Sequence, residues 1–505
     1  MYSKNEKLVV LVILAIAIFF RLYHLGSIPP GIYPDEAVNG NDALKVLDSG
    51  HPQVFYPNNN GREGLFINLT ALSFKLLGVS VWSFKLVPIL AGLLGIWALY
   101  LLAKEMFTWQ IGAISSFLMA TSFWHVNFSR IHFRAILAPL LMTWIIYFLW
   151  KGLKGRHLVN FLISGIFLGL GFYTYIAFRI APLILILGLA SYWQFIKKDF
   201  SHEKYEQARQ HLLLGLVLFL ITTIMIAAPI GAYYLAHPAD FLGRTSQISV
   251  FSSPNPLKQL GINIWQTFGM FNFEGDHNWR HNISGRSILL WPVGILFLAG
   301  LFRSVIKLFK HRFDHGHFSA TQAILLAWFL LGLAPVFISN EGLPHALRAI
   351  LVAPVVFLLA GEGTWWFFSW LRNWYRARNN PHEAILVSTM VLLIFLSSLG
   401  LAEYRKYFID WAQNPETASA FNKNYWQIGE EINKLPPSVP KYVVVYAQGV
   451  LVDELPMPAQ TVMFVTQTYT KQLQQEKNTF YLTPEQFEKR KGRLVRKSAA
   501  VFELR

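Results

Sequence analysis

Runs of mainly apolar residues, broken by short polar and basic stretches, dominate the chain from residue 7 to residue 402. A helix needs about 20 such residues to cross the hydrocarbon core of a bilayer, and roughly eleven segments qualify. They fall near 7–26, 81–103, 110–128, 131–150, 158–176, 179–196, 211–235, 287–308, 320–338, 347–369 and 384–402. The first lacks the small-residue cleavage site of a signal peptide and is expected to stay as an anchor. The apolar run 65–77 is shorter and carries Asn68, Thr70, Ser73 and Lys75. It reads as an interfacial or re-entrant helix rather than a span. A similar helix is expected over 36–47, where Val38, Leu44 and Leu47 share a face.

Between the spans, the basic stretches KGLKGRH, KKDFSHEKYEQAR, RSVIKLFKHR and LRNWYRAR all fall on one side when the N-terminus is placed inside. The turns near Ser129, Phe178 and Asn340 carry few basic residues. Lysine and arginine near span ends mark the cytoplasmic side, so an N-inside, C-outside chain is predicted. Residues 1–402 then form a transmembrane domain with two long outer loops, 26–80 and 237–286. After Ala402 the pattern turns polar. Phe421, Tyr425, Ile428, Ile432 and Leu435 recur at helical spacing, and KYVVVYA, TVMFVT and AAVFEL read as strands. Residues 403–505 are therefore expected to form a small α/β domain outside the membrane.

Composition supports a membrane protein, with 54% hydrophobic and only 14% charged residues, about half the charged share of an ordinary soluble protein. The 17 Trp, 20 Tyr and 41 Phe suit aromatic belts at both interfaces. The net charge of +16 follows from basic cytoplasmic loops, and no basic run with interleaved aromatics points to nucleic acid. With no cysteine, disulfides, thiol catalysis and Cys-ligated metal sites are excluded.

Candidate chemistry gathers on the outer side. In SIPPGIYPDEAVNGNDALKVL, Asp35 and Glu36 follow two proline turns and open a helix. A carboxylate pair there serves catalysis, or serves as a helix cap in the favourable field of the helix N-terminus. In YPNNNGREGLF, Arg62 and Glu63 precede the second short helix, where an exposed turn with a local ion pair would look the same. Arg134, Arg179 and Arg348 each open an apolar segment on the side that the charge rule disfavours. Snorkelling to headgroups explains one such arginine. Three in the same placement point to a shared anionic ligand such as phosphate, which the planar guanidinium grips with two donors. The loop EGDHNWRHNISGR adds Glu274, Asp276, His277, Arg280, His281 and Arg286. Histidines and carboxylates together can hold a divalent ion, although no closed ligand spacing is present and a flexible polar loop would look alike. Glu362, near the inner end of its span, reads as interfacial rather than catalytic.

With these residues in view, the chain resembles the GT-C glycosyltransferases, in the branch of protein O-mannosyltransferases and lipid A aminoarabinose transferases. PDEA resembles the early acidic motif of that group, and NNNGREGLF, NFSRIHFRAILAPLL, GDHNWRHNISGR and PHALRAI are similar to bacterial members. The likeness covers about the first 400 residues; the tail does not resemble the β-trefoil of eukaryotic O-mannosyltransferases. The resemblance implies an all-α GT-C membrane domain and a multi-pass enzyme of the plasma membrane and cell envelope, with its active site and tail extracytoplasmic. It implies transfer of a hexose or pentose from a polyprenyl-phosphate sugar to a hydroxyl on a lipid, glycan or protein, with inversion. Asp35 would be the base, with Glu36 beside it. Arg62, Arg134, Arg179, Arg280, Arg286 and Arg348 would bind the donor phosphate. In the aminoarabinose transferases an acid of the first outer loop and a later histidine hold a metal, which would place Glu63 and His281 on a divalent ion. No nucleotide cofactor is expected, since neither a P-loop nor a dinucleotide fingerprint is present. The main alternative is a polytopic transporter or lipid flippase, which would favour repeated halves and midplane charges. A scaffold presenting its tail would leave the outer arginines without a role.

Overall fold

A computed structural model describes residues 4–155, 157–247, 249–310, 318–377, 380–495 and 499–505. Arg156, Arg378 and the last two residues of RSVIKLFKHR lie outside the described residues, so those parts of the basic loops are not placed. Among the described residues, eight helices are long and apolar enough to cross a membrane. They are Val81–Met106, Arg134–Gly155, Ile176–Lys198, His202–Ala236, Trp291–Phe309, Ala320–Phe337, Ile350–Arg376 and Pro381–Trp411.

Three of the eleven expected spans take another form. The first is the helix Lys4–Leu22, with Lys4, Glu6, Lys7 and Arg21 within it. The segment 110–128 divides at Ser122 into helices Trp109–Thr121 and Phe123–Arg130. The segment 158–176 yields only the fourteen-residue helix Leu158–Gly171. Composition alone could not see the break at Ser122, whose backbone leaves the helical region (ψ 130°).

The chain falls into two compact units. The first comprises residues 1–23, 88–129 and 134–409, and the second residues 24–87, 130–133 and 410–505. Residues 24–87, most of them in the expected first outer loop, cluster with the tail from residue 410. One edge of this division falls at Pro88, inside the helix Val81–Met106.

In the first unit, buried charges are paired between helices, as charges removed from water must be. Glu6 accepts from Tyr100 Oη at 2.5 Å and pairs with Lys104. Arg21 donates to the Ala120 carbonyl at 2.9 Å and lies 2.8 Å from His125 Nδ1. Glu362 is buried and pairs with Lys307. Small residues set the closest helix approach. A Cβ on Gly300 would meet the Leu359 carbonyl oxygen at 1.9 Å, and one on Gly363 the Leu296 oxygen at 2.0 Å.

The second unit contains the two expected short helices, Pro34–Ser49 and Leu65–Leu77. A two-rung antiparallel ladder, Phe55–Tyr56 with Arg62–Glu63, joins them. They pack on a core of Ile32, Ala37, Leu44, Ile67, Phe74 and Phe464. The tail supplies a three-stranded parallel sheet in the order Thr479–Leu482, Lys441–Val445, Ala500–Leu504. The helix Lys423–Lys434 forms where its spacing places it, and its Tyr425 and Ile432 face the sheet residues Val443 and Tyr481 in one core. One expectation is overturned: TVMFVT is not a strand but lies in the helix Ala459–Thr466.

Candidate active site

In the second unit, the helix bearing the acidic pair begins with Pro34 at its first turn, and Tyr33 occupies the N-cap in extended conformation (φ −76°, ψ 161°). Asp35 therefore sits inside the first turn and is not the capping residue. Its Oδ1 accepts from Asn59 Nδ2 at 3.0 Å. Asn59 reaches it from a tight turn in which Asn59, Asn60 and Gly61 all have positive φ (51°, 60° and 83°). Asn and Gly are the residues that adopt this left-handed conformation at least cost, so NNNG in the sequence is the local reason that an amide meets this carboxylate.

Glu36 has the opposite environment, with none of its surface exposed. Its Oε2 accepts the backbone N–H of His132 at 2.5 Å, while Oε1 has no hydrogen-bond partner. Burial pushes the carboxyl up to about 7, against the nearby Lys85 ammonium and the His132 N–H. His132 itself is fixed by Thr70 Oγ1, 3.1 Å from its Nε2, and by stacking on Phe84 at 3.8 Å between ring centroids.

Arg62 and Glu63 do not form an exposed turn, being 1% and 4% exposed. The Arg62 fork is engaged by Asn39 Oδ1 at 2.9 Å and by Asp42, and its Nε donates to the Asn58 carbonyl at 3.3 Å. All three guanidinium nitrogens are thus committed to holding the hairpin against the Pro34–Ser49 helix.

In the first unit, a cavity of about 260 Å³ is lined mainly by apolar residues, among them Ile176, Ile180, Ala334 and Pro335, together with Arg179 and Arg348. The Arg134 guanidinium lies 5.6 Å from the ring centre of Tyr175, another lining residue. Two of the three arginines singled out at span ends thus line one cavity, and the third lies against the ring of a lining residue. Arg179 donates to the Phe241 carbonyl at 2.7 Å and lies 4.1 Å from that ring's centre. Arg348 is held by Ser339 Oγ and by the Glu341 carboxylate at 2.8 Å. Arg280 and Arg286 stand apart, in the loop 274–286, and do not line the cavity. The Arg280 Nε donates to Asn278 Oδ1 at 3.2 Å, and the Arg286 carbonyl accepts from the Asn282 amide at 2.5 Å.

That loop folds around Asp276. Asp276 Oδ1 accepts the Asn278 N–H at 2.8 Å. Its Oδ2 accepts from His281 Nδ1 at 2.9 Å and from the Ala346 N–H at 2.8 Å. His345 Nδ1 lies 3.8 Å from the same oxygen and makes no hydrogen bond. Asp276, His281 and His345 place their ligand atoms within 4.8 Å of one another. Burial alone would raise the Asp276 carboxyl, but the His281 hydrogen bond and the His281 and His345 charges hold it below its ordinary value. Burial keeps the His345 imidazole well below its usual range, reinforced by His281 and Arg348. His281, expected to share a metal with Glu63, is grouped here with Asp276 and His345 instead. Two imidazoles and a carboxylate are a donor set that zinc or a similar divalent ion accepts, and the orphaned His345 nitrogen fits that use. Glu274 and His277 pair with each other at 3.1 Å on the exposed side of the loop.

Sequence reasoning singled out Asp276 only as one polar loop residue and did not single out Asn59, His132 or His345. The usable signal for His345 was its placement three residues before Arg348 at the mouth of a span.

Comparison with known proteins bears on the fold. The family described as dolichyl-phosphate-mannose-protein mannosyltransferase matches residues 65–230. No curated protein matches the chain. Among solved structures, the apo oligosaccharyltransferase of Archaeoglobus fulgidus is 14% identical with a TM-score of 0.55, covering 91% of this chain. The chain spans 64% of that protein's length, just under two thirds. The same archaeal protein, AglB, in complex with an inhibitory peptide and dolichol-phosphate, has the same identity (14%) and TM-score (0.55), covering 96% of this chain and 70% of AglB. It has also been solved with Zn and sulfate. ArnT from Cupriavidus metallidurans bound to undecaprenyl phosphate is 15% identical with a TM-score of 0.50, covering 98% of this chain and 89% of ArnT. The mannosyltransferase match is confined to residues 65–230, and the solved structures show a fold shared along nearly all of the chain.

Proposed function

We propose that the protein transfers a sugar from a polyprenyl-phosphate donor to an acceptor hydroxyl on the outer face of its membrane. The observation that carries this reading is one largely apolar cavity lined by both Arg179 and Arg348, with Arg134 beside the ring of its lining residue Tyr175. An anionic headgroup followed by an isoprenoid chain is the ligand such a cavity suits, because charge and apolar surface are needed side by side. The undecaprenyl phosphate of the ArnT structure and the dolichol-phosphate of the AglB structure support the same ligand class.

Asp35 is the base in this reading. It takes the proton of the acceptor hydroxyl as that oxygen bonds to the anomeric carbon, and the bond from that carbon to the phosphate oxygen breaks. Polyprenyl phosphate leaves with the bonding electrons, its charge offset by the arginines. A single displacement inverts the anomeric centre. Asn59 orients the Asp35 carboxylate, and the buried Glu36 holds the helix start through His132, a positioning role. Arg62 acts likewise, locking the hairpin that carries Asn59. Asp276, His281 and His345 would hold a divalent ion, which when bound supplies further positive charge for a phosphate. Arg280 and Arg286, on the same loop, add to the positive field, and Glu63 is assigned no metal.

Asp35→Asn tests the base. Asparagine keeps the size and the acceptor oxygen for Asn59, so Tm and donor binding should stay close to wild type. Turnover, followed by donor hydrolysis if need be, should fall about 10²- to 10⁴-fold. Near wild-type turnover would remove Asp35 from the chemistry.

A further inference from the structure

The tail contributes a second cavity, about 650 Å³, within the second unit. Its wall includes Tyr469, Phe480 and Tyr481, and its polar lining includes Gln474, Gln486 and the carboxylates of Asp453 and Glu454. The two tyrosine hydroxyls are engaged elsewhere. Tyr469 donates to Asp48 at 2.5 Å, and Tyr481 Oη lies 2.7 Å from Thr468 Oγ1. Tyr481 is almost wholly buried in the core, so the partly exposed Tyr469 and Phe480 rings offer the apolar surface of the cleft, while amides and carboxylates supply hydrogen bonds beside them.

The lip of the cleft is built at a cost. Asp453 and Glu454 form the two-residue loop of the hairpin Leu451–Val452 with Leu455–Pro456, and both have positive φ (50° and 69°). Asn-Gly is the inexpensive choice at such a turn. Two successive residues with a Cβ in this region store backbone strain, which proteins retain where the side chains have a use. Here the use is to present carboxylates at the opening. Lys45 holds Asp453 at 2.8 Å, while Glu454 is exposed, with Lys471 at 3.7 Å.

We infer that this cleft binds a neutral saccharide, as a distal subsite for a glycan acceptor; the acceptor role rests on the proposed transferase function. The lining mixes acids with Lys471 and amides, so it does not select an ion of either sign. Aromatic faces flanked by carboxylates and amides match a sugar ring, which is apolar on its faces and ringed by hydroxyls. Asp48 and Lys45, which brace the cleft, lie near the C-terminal end of the helix that carries Asp35 near its start. Thirteen residues at 1.5 Å each separate Asp35 from Asp48 by about 20 Å, so the cleft lies too far to be the point of transfer and suits a more remote part of an oligosaccharide.

The test uses the full chain in an amine-oxide detergent, so that no sugar headgroup competes. Short neutral gluco- and manno-oligosaccharides are titrated and followed by saturation-transfer NMR, with polyprenyl phosphate binding and Tm measured on the same preparations. Wild type should bind at least one series saturably. Glu454→Gly should raise Tm, because it relieves the turn, and yet weaken saccharide binding about ten-fold, the loss expected of one charged hydrogen bond. Gln474→Ala should also weaken it, with donor-lipid binding unchanged in both variants. Absence of saccharide binding, equal affinity in Glu454→Gly, or binding of acceptor peptides in place of sugars would overturn the inference. Saccharide binding without any lipid-phosphate binding would instead defeat the transferase reading and leave the cleft as a sugar-binding site.

Discussion

Asp35 and Glu36 are adjacent in the chain, yet one is half-exposed against an amide and the other is sealed from water. Successive helical residues point about 100° apart, which is enough to leave one carboxylate partly exposed and bury its neighbour. Glu36 has a measurable signature. Its folded-state value of about 7 lies above the ordinary 4.5, so between those values the folded chain holds a proton that the unfolded chain has lost. The stability this contributes is complete below about pH 4.5 and is lost as pH rises through about 7. Glu36→Gln, which cannot ionise, should therefore flatten the fall of Tm across that window in thermal melts. Parallel melting profiles for the two proteins would contradict the buried, protonated acid. The pair itself was legible in PDEA; the split in environment was not, because Glu36 is bonded by His132, which Thr70 and Phe84 hold, from distant parts of the chain.

At the scale of elements, the short helices 34–49 and 65–77 could be read from periodicity and length because each has one apolar face and polar ends. TVMFVT misled for a physical reason. Its β-branched residues favour strands locally, but Val462, Met463 and Phe464 are all buried, and a helix buried all round overrides that weak preference. Phe464 also explains Gly40. A Cβ at Gly40 would lie 2.5 Å from the Phe464 ring and 3.0 Å from Phe84. Alanine is the better helix former by about 1 kcal/mol, yet overpacking a filled core costs about 1–3 kcal/mol. Gly40→Ala should thus lower Tm, with a ΔΔG of about 1 kcal/mol destabilising once propensity is offset. A gain in Tm would mean that the Asp35 helix is less tightly seated than described.

For the whole molecule, hydropathy delivered the membrane class and most spans, since long apolar runs are a direct physical requirement. Its segments depart from the long apolar helices where buried charges or a mid-span break interrupt them, as at Arg21 and Ser122. The association of the first outer loop with the tail was invisible, because it rests on pairs such as Lys45 with Asp453 and Asn41 with Gln460 that no local pattern announces. The proposed sidedness rests on charge bias and is open to a direct check, since the chain has no cysteine of its own. A single cysteine at Asn58 should react with an impermeant thiol reagent in intact cells, and one at Lys204 should not; the reverse pattern would overturn the outward-facing site. The central claim is that Arg179 and Arg348 hold a lipid phosphate, and native mass spectrometry of the purified protein titrated with a polyprenyl phosphate tests it most directly. Wild type should retain the lipid, and the Arg179→Ala, Arg348→Ala double variant should bind it at least about ten-fold more weakly, as expected for the loss of charged hydrogen bonds. A wild-type protein that carries no lipid phosphate, or a double variant that binds it equally well, would contradict the account.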